Sequence, residues 1–230
     1  MNKVLYQSDH PVTLVGGGDA PARDIDDSLS LAPGLVAADG GARAALSAGH
    51  TPKAVIGDFD SIDPESRARI APELQFKIAE QNSTDFDKAL RSIAAPLVIG
   101  VGFLGARVDH QLAAFSTLLA HAHRPCLLLG ANEIVFHAPP SIVLPTEPGD
   151  VVSLYPLVEC EGRSTMLEWP IDGLNLSPAG QIGTSNRALG PATLAVATPG
   201  LLVIVPRMRL SSLVARMMLP NAPRWPVRAG

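Results

Sequence analysis

The sequence predicts an α/β fold in two parts: a parallel sheet covered by helices, then a small antiparallel β domain. Three observations carry this expectation. Through the first 137 residues, short continuous apolar runs alternate with helix-like segments, as strands buried on both faces do. Past Pro139-Pro140 the helical periodicity gives way to β-rich runs divided by Pro, Gly, Asn and Asp, the signature of antiparallel strands and turns. The glycines and acids of the first part also cluster at the ends of its apolar runs, and open α/β sheets bind ligands at the carboxyl ends of their strands.

Taken in order, residues 11–15 read as a strand running into Gly16-Gly17-Gly18. Residues 35–38 form a second strand that ends at Asp39-Gly40-Gly41, followed by a helix over 42–48 that Gly49 stops. A third strand covers 54–56, a short helix 64–70 and a fourth strand 74–78. Thr84 is available as N-cap for a helix over 86–93. A fifth strand at 96–101, a long helix at 108–121 and a sixth strand at 126–129 complete the first part. The second part offers strands at 142–144, 151–155, 193–197 and 201–205, with Gly200 expected to turn a hairpin between the last two. A short helix is expected at 211–218, then a Pro-rich tail expected to be disordered. The division predicted is 1–137 and 138–230.

The chain has 230 residues, 47% of them hydrophobic and 17% charged, with a formal net charge of -4. That is the composition of a globular protein with ample core. It gives no electrostatic case for nucleic acid or an anionic membrane as partner. Cys126 and Cys160 are isolated in apolar surroundings, neither a disulfide framework nor a zinc spacing, so buried reduced thiols are expected. The first ten residues have no signal-peptide core, and no apolar window is long enough to span a bilayer. The expected location is the cytoplasm.

The run Ile56-Gly57-Asp58-Phe59-Asp60-Ser61 is the strongest chemical signal. Its two carboxylates repel unless a cation or proton intervenes, and together they can hold one hard cation such as Mg²⁺. Ser61 or Asp63 can cap the next helix, which leaves Asp58 and Asp60 without a structural job. A phosphatase of the Asp-x-Asp type is disfavoured, because Ile62 stands where such enzymes usually carry Thr or Val.

Other residues each have a structural and a chemical reading. Gly16-Gly17-Gly18 is either a tight turn or a close approach to phosphate; it fits neither a Walker A loop nor a dinucleotide fingerprint. Asp39 is a helix cap or a ligand, and Gly40 and Gly41 can turn backbone amides toward a bound molecule. Asp85 opens a helix, where the dipole favours it, and Asp87 can close a capping box with Thr84. Lys88 lies three residues after Asp85, on the same face, and either pairs with it or binds phosphate. Arg107, in the loop that carries Gly105, suits a forked phosphate contact, with Asp109 as helix cap and partner. His110 receives no role. Trp169 reads as core, and Gly183-Thr184-Ser185-Asn186 as a turn. Acids for a metal and bases for phosphate point to a nucleotide–Mg²⁺ site.

Together these motifs resemble the thiamin pyrophosphokinase family. They are Asp39-Gly40-Gly41-Ala42, Gly57-Asp58-Phe59-Asp60-Ser61, Gln81 with Thr84-Asp85-Phe86 and Lys88, Gly105 with Arg107 and Asp109-His110, and Trp169 before Thr184-Ser185-Asn186. They stand in the family's order and at similar spacings over residues 12–205. The resemblance implies an N-terminal parallel-sheet α/β nucleotide-binding domain followed by a C-terminal antiparallel β-sandwich, assembled as a homodimer. It implies ATP as co-substrate, Mg²⁺ as cofactor and thiamin as acceptor of a diphosphate group, with AMP released.

The site implied by the resemblance places Asp58, Asp60 and Asp85 on Mg²⁺, with Asp39 completing the shell or accepting a proton. Lys88 and Arg107 would hold phosphates, and Gly17, Gly40, Gly41, Gly105 and Asp109 would border the nucleotide. Trp169, Ser185 and Asn186 would meet thiamin from one side, and Gln81 and Thr84 from the other, across two subunits. The chain departs from the family at Ala106, Ala114 and Glu168, where Gly, Asn and Lys are usual. Two alternatives remain at this stage: a sister enzyme using another alcohol such as a pterin, and a thiamin-binding regulator without catalysis.

Overall fold

A computed structural model describes residues 3–227. The chain divides into two compact units. One runs to Thr117 and takes in Leu128–Gly130; the other comprises Leu118–Leu127 and the chain from Ala131 onward.

The first unit contains β1 (Tyr6–Gln7), β2 (Val12–Val15), α1 (Ala22–Leu31), β3 (Gly34–Ala38), α2 (Gly41–Ser47), β4 (Ala54–Gly57), α3 (Pro64–Ala68), β5 (Gln75–Lys77), α4 (Asp85–Ser92), β6 (Ile93–Ala94), β7 (Val98–Val101) and most of α5 (Val108–Ala120). Here β2 pairs with β7, β3 with β4, β4 with β5 and β1 with β6, all in parallel. Every residue of β2, β3, β4 and β7 is buried, which explains the unbroken apolar runs. The one polar side chain in β2 is satisfied: the Thr13 hydroxyl lies 2.7 Å from the Ala32 carbonyl, to which it donates, and 2.9 Å from the Ser28 hydroxyl.

Local chemistry sets the helix starts. Asp63 accepts from the Ser66 amide at 2.8 Å ahead of Pro64, and Thr84 accepts from the Asp87 amide at 3.2 Å. The sequence did not suggest α1. Its Asp and Ser residues are weak helix formers, and it buries only Ile25 and Ser28. The paired strands β1 and β6 are two residues each, too short for a pattern.

Strand β8 (Cys126–Leu129) is followed by the elements of the second unit: β9 (Glu133–His137), β10 (Ser141–Val143), β11 (Val151–Pro156), β12 (Cys160–Leu167), β13 (Asn175–Leu176), β14 (Gly183–Val196), β15 (Leu201–Pro206) and α6 (Leu210–Met217). Antiparallel pairing begins at β9, ahead of Pro139-Pro140. The 14-residue β14 pairs with β10, β11 and β12. From Asn186 to Val196 its residues alternate between buried and accessible, the mark of a sheet with one covered face.

Two expectations are corrected in this unit. β14 and β15 form no hairpin, because β11 lies between them and pairs with both. Gly200 instead sits where an added Cβ would come 2.5 Å from the Val158 side chain. Residues 183–186 are the start of β14 rather than a turn; polar composition there reflects a half-exposed strand. Cys126 and Cys160 are free and buried, as expected. Among the described residues, no helix is long and apolar enough to cross a membrane. The expected disorder of the tail is not seen in its described residues: Trp225 donates to the Ala138 carbonyl at 2.8 Å, and residues 228–230 lie outside the described ones.

Gly41 is a packing requirement at the start of α2. A Cβ there would stand 2.0 Å from the Val15 carbonyl oxygen, which belongs to backbone and cannot rotate away. Gly41→Ala is therefore expected to destabilise the protein by about 1–3 kcal/mol, read as a lower urea midpoint at unchanged slope.

Candidate active site

Four chain segments in the first unit converge at the ends of its strands. β3 ends in Asp39 and Gly40, β4 in Gly57 and Asp58, the loop over 79–84 leads into α4, and β7 leads to Gly102 and Phe103. They enclose a cleft of about 560 Å³ whose lining includes Gly17, Gly40, Asp58, Asp60, Lys88 and Arg107.

Lys88 lies at the electrostatic centre of the cleft. Its side chain is 1% exposed, and its ammonium donates to Asp58 at 2.7 Å and to Asp85 at 3.1 Å. Both readings of Lys88 from sequence contain part of the answer, since the pair with Asp85 exists but a second partner comes from another strand. Burial pulls the Lys88 pKa down, but the two carboxylate hydrogen bonds outweigh it and the net shift is upward. The Lys88 hydrogen bond holds Asp58 below the usual carboxylate range. Asp85 moves the other way, because burial outweighs its contact with Lys88.

Three carboxylates, Asp39, Asp58 and Asp60, can bring one oxygen each to within 4.8 Å of one another. Asp39 is 1% exposed. One of its oxygens accepts from the Ser61 amide at 3.0 Å, while Oδ1 is buried with no hydrogen-bond partner. Such an orphaned oxygen is costly unless protonated or bound to a cation. Burial is the chief cause that raises the Asp39 pKa to about 6. Asp39 is not a helix cap; Gly40 occupies that position and α2 has no side-chain cap. Asp39 fits beside β4 because residue 57 is Gly, where a Cβ would lie 2.7 Å from the Asp39 Cβ. Asp58 accepts from the Asp60 amide at 3.2 Å, and Ser61 donates to Asp60 at 2.8 Å. Asp39 and Phe59 both adopt positive φ, 41° and 69°. Strain of this kind concentrates at functional sites.

The remaining expected residues fall into place unevenly. Gln81 donates to Asp58 at 3.3 Å and lines the cleft with Thr84. Asp85 lies outside the three-carboxylate group and serves Lys88. Arg107 faces the cleft, held by Asp109 through two hydrogen bonds of 3.1 and 2.5 Å. This pair is exposed and is worth little to stability. Gly41, Gly105 and Asp109 do not line the cleft, and Asp39 is buried behind its lining. Arg43, Phe103 and Ser83 do, and sequence reasoning missed them. Arg43 follows the Asp39-Gly40-Gly41 motif by two residues, which was the available signal.

The second unit presents Trp169, Ser185 and Asn186. Trp169 is 56% exposed, so it is not core. Asn186 is buried, and its amide is spent on the Trp169 backbone: it donates to the Trp169 carbonyl at 2.6 Å and accepts from the Trp169 amide at 3.2 Å. It therefore positions Trp169. Ser185 is exposed at φ 59°, its amide donating to the Ser153 hydroxyl at 2.9 Å.

Fold and site define a mixed α/β protein with an acidic, lysine-anchored cleft at its strand ends. Residues 25–128 match the thiamin pyrophosphokinase catalytic domain. Rice thiamine pyrophosphokinase 3 is 24% identical over 168 residues, covering 65% of this chain and 63% of that protein. Thiamine pyrophosphokinase of Bacillus subtilis is 38% identical over 89 residues, 36% of this chain and 42% of the relative. The chain thus aligns with less than two thirds of the length of either relative. Among solved structures, thiamin pyrophosphokinase of Geobacillus thermodenitrificans superposes with a TM-score of 0.68 at 24% identity, over 85% of this chain and 96% of that one. The Candida albicans enzyme gives 0.72 at 16% identity, over 90% and 94%. These two likenesses show a shared fold. Over residues 25–128, a little under half of the chain, the sequence is similar to the thiamin pyrophosphokinase family.

Two predictions arise from this geometry. The folded state binds the Asp39 proton more tightly than the unfolded chain, so the group's contribution falls as pH rises from about 4 to 6 and stays low above. Asp39→Asn removes that burden. In EDTA it is expected to be more stable than the parent by roughly 1–3 kcal/mol at pH 8, with the gain vanishing toward pH 4; urea midpoints at the two pH values measure it. Separately, Arg91 pairs with Glu80 at 2.6 Å and Asp87 at 2.8 Å, and Ser83 donates to Glu80 at 2.6 Å. Arg91→Met is expected to speed amide hydrogen exchange across residues 79–84 while β3 and β4 stay protected.

Proposed function

We propose that this protein transfers the diphosphate group of ATP to the hydroxyl of thiamin, giving thiamin diphosphate and AMP. The observation that carries the reading is the buried Lys88 ammonium between Asp58 and Asp85, beside the orphaned oxygen of Asp39, in a chain whose residues 25–128 match this family's catalytic domain. We assign residues 1–137 to an α/β domain that binds ATP and Mg²⁺. Residues 138–230 we assign to a β-sandwich that binds thiamin and forms a homodimer. Two free, buried cysteines suit a reducing compartment such as the cytoplasm.

The donor set fits a hard divalent cation, since it is all oxygen and includes an unsatisfied one. Asp58, Asp60 and Asp39 would hold Mg²⁺, with Asp85 acting through water or through Lys88. Bound there, Mg²⁺ would neutralise charge on the phosphate oxygens. Lys88 keeps Asp58 ionised and offers positive charge to the transferring group. Arg107 and Arg43, both in the cleft lining, would clamp the phosphates, with Gly17 and Gly40 admitting them close to backbone. Gly105 and Asp109 support the Arg107 loop. Gln81 and Thr84 would border the thiamin hydroxyl, while Trp169, presented by Asn186 and flanked by Ser185, would stack on the cationic rings. The hydroxyl oxygen then forms a bond to the β-phosphorus, its proton passing to a cleft carboxylate or water. The bond from the β-phosphorus to the bridging oxygen breaks, and AMP leaves with that electron pair. Catalysis of this kind is mostly positioning and charge neutralisation.

The direct test is AMP formation from ATP and Mg²⁺ with and without thiamin. AMP that depends on thiamin, with equimolar thiamin diphosphate, is expected; AMP formation indifferent to thiamin, or ADP as product, contradicts the reading. Asp58→Ala and Asp60→Ala are each expected to lower kcat by about 100-fold or more with circular dichroism unchanged. Trp169→Ala should raise KM for thiamin far more than KM for ATP; an equal fall in kcat for both would assign it a structural role.

A further inference from the structure

The second unit holds a cavity of about 680 Å³ that the proposed reaction does not use. Its floor is the sheet face of β10, β12 and β14, with Ile142 and Leu194 buried there. Met217 of α6 and the tail over 219–225 form the opposite wall. The tail is fixed in place by Trp225, which donates to the Ala138 carbonyl at 2.8 Å. The volume lies in the range of roughly 300–1,000 Å³ usual for small-molecule sites, which are apolar with a few convergent polar groups.

The charge of the lining is the second observation. A chain of net charge -4 with 18 basic residues places four of them here: Arg124, Arg163, Arg216 and Arg224. Among the described lining residues the sole carboxylate is Asp172, and it already accepts from the Ser164 amide at 3.0 Å. Arg224 donates to the Met217 carbonyl at 3.3 Å, a neutral acceptor. Burial shifts the Arg124 guanidinium pKa downward, so this cation bears a desolvation cost, whereas Arg224 is exposed. Arginine is suited to partly desolvated recognition of carboxylate and phosphate.

We propose that this cavity binds a small organic anion with an apolar body, the body against Ile142, Leu194 and Met217 and the anionic head among Arg163, Arg216 and Arg224. Carboxylate and phosphate heads share the chemistry that these guanidiniums recognise. The site is separate from the Lys88 cleft, and its existence does not depend on the reaction proposed there.

The test is calorimetry on the full chain with ATP and Mg²⁺ present throughout, using 1-naphthyl phosphate, 1-naphthoate and uncharged 1-naphthol as probes. At least one of the two anions is expected to bind one per chain at least about tenfold more tightly than naphthol, as charged hydrogen bonds should provide. Which anion binds tighter identifies the preferred head. Arg163→Ala with Arg216→Ala, both at exposed positions, should abolish that preference. Ala195→Phe at the accessible rim should weaken all three probes. Absence of anion binding, equal affinity for naphthol and both anions, or a preference that survives the arginine substitutions would overturn the proposal.

Discussion

The buried ammonium of Lys88 is the constraint on which the rest of the site depends. It neutralises Asp58 from β4 and Asp85 from its own helix at 2.7 and 3.1 Å. Without it, Asp58 and Asp85 would lose their hydrogen-bonded cation, leaving Arg43 and Arg107 as the cationic side chains lining the cleft. Removing one partner from a buried pair leaves an uncompensated charge and costs about 3–5 kcal/mol. The pair therefore fixes α4 against β4 and, through the helix start at Thr84, the loop that carries Gln81. Asp39 has no such partner on one oxygen, a cost that makes sense where a cation is to be bound.

The second unit solves a different problem, which is how to present an aromatic face. Trp169 follows β12, in which register shifts at Met166. Its backbone is gripped on both sides by the Asn186 side chain, while the indole stays accessible. A ring held by its backbone loses little freedom on meeting a flat cation, the economy that preorganisation offers. The apolar cavity of the same unit is built from the opposite combination, an apolar sheet face with four arginines in its lining.

Much of this was legible from sequence because local rules agreed with the tertiary ones. The doubly buried strands announced themselves as unbroken apolar runs. Thr84 and Asp63 marked their helices, and the Asp58-Phe59-Asp60 spacing announced a charge problem in need of a solution. What escaped depends on long-range placement. Nothing local says that Asp39 rather than Asp85 joins Asp58 and Asp60, since this turns on Gly57 leaving room beside β4. Gly200 looked like a hairpin because β14 and β15 are neighbours in sequence, yet β11 takes the place between them. Nothing local says that the Asn186 side chain grips the Trp169 backbone, 17 residues earlier in the chain.

The most direct test of the account is Mn²⁺ affinity, measured by electron paramagnetic resonance on the nucleotide-free protein and on Asp39→Asn, Asp60→Asn and Asp85→Asn. If the carboxylates of Asp39, Asp58 and Asp60 hold the cation while Asp85 serves Lys88, the first two substitutions weaken Mn²⁺ binding about tenfold or more and the third changes it little. A loss in Asp85→Asn as large as in Asp60→Asn, with Asp39→Asn unaffected, would contradict it and move the cation to the Lys88 side of the cleft.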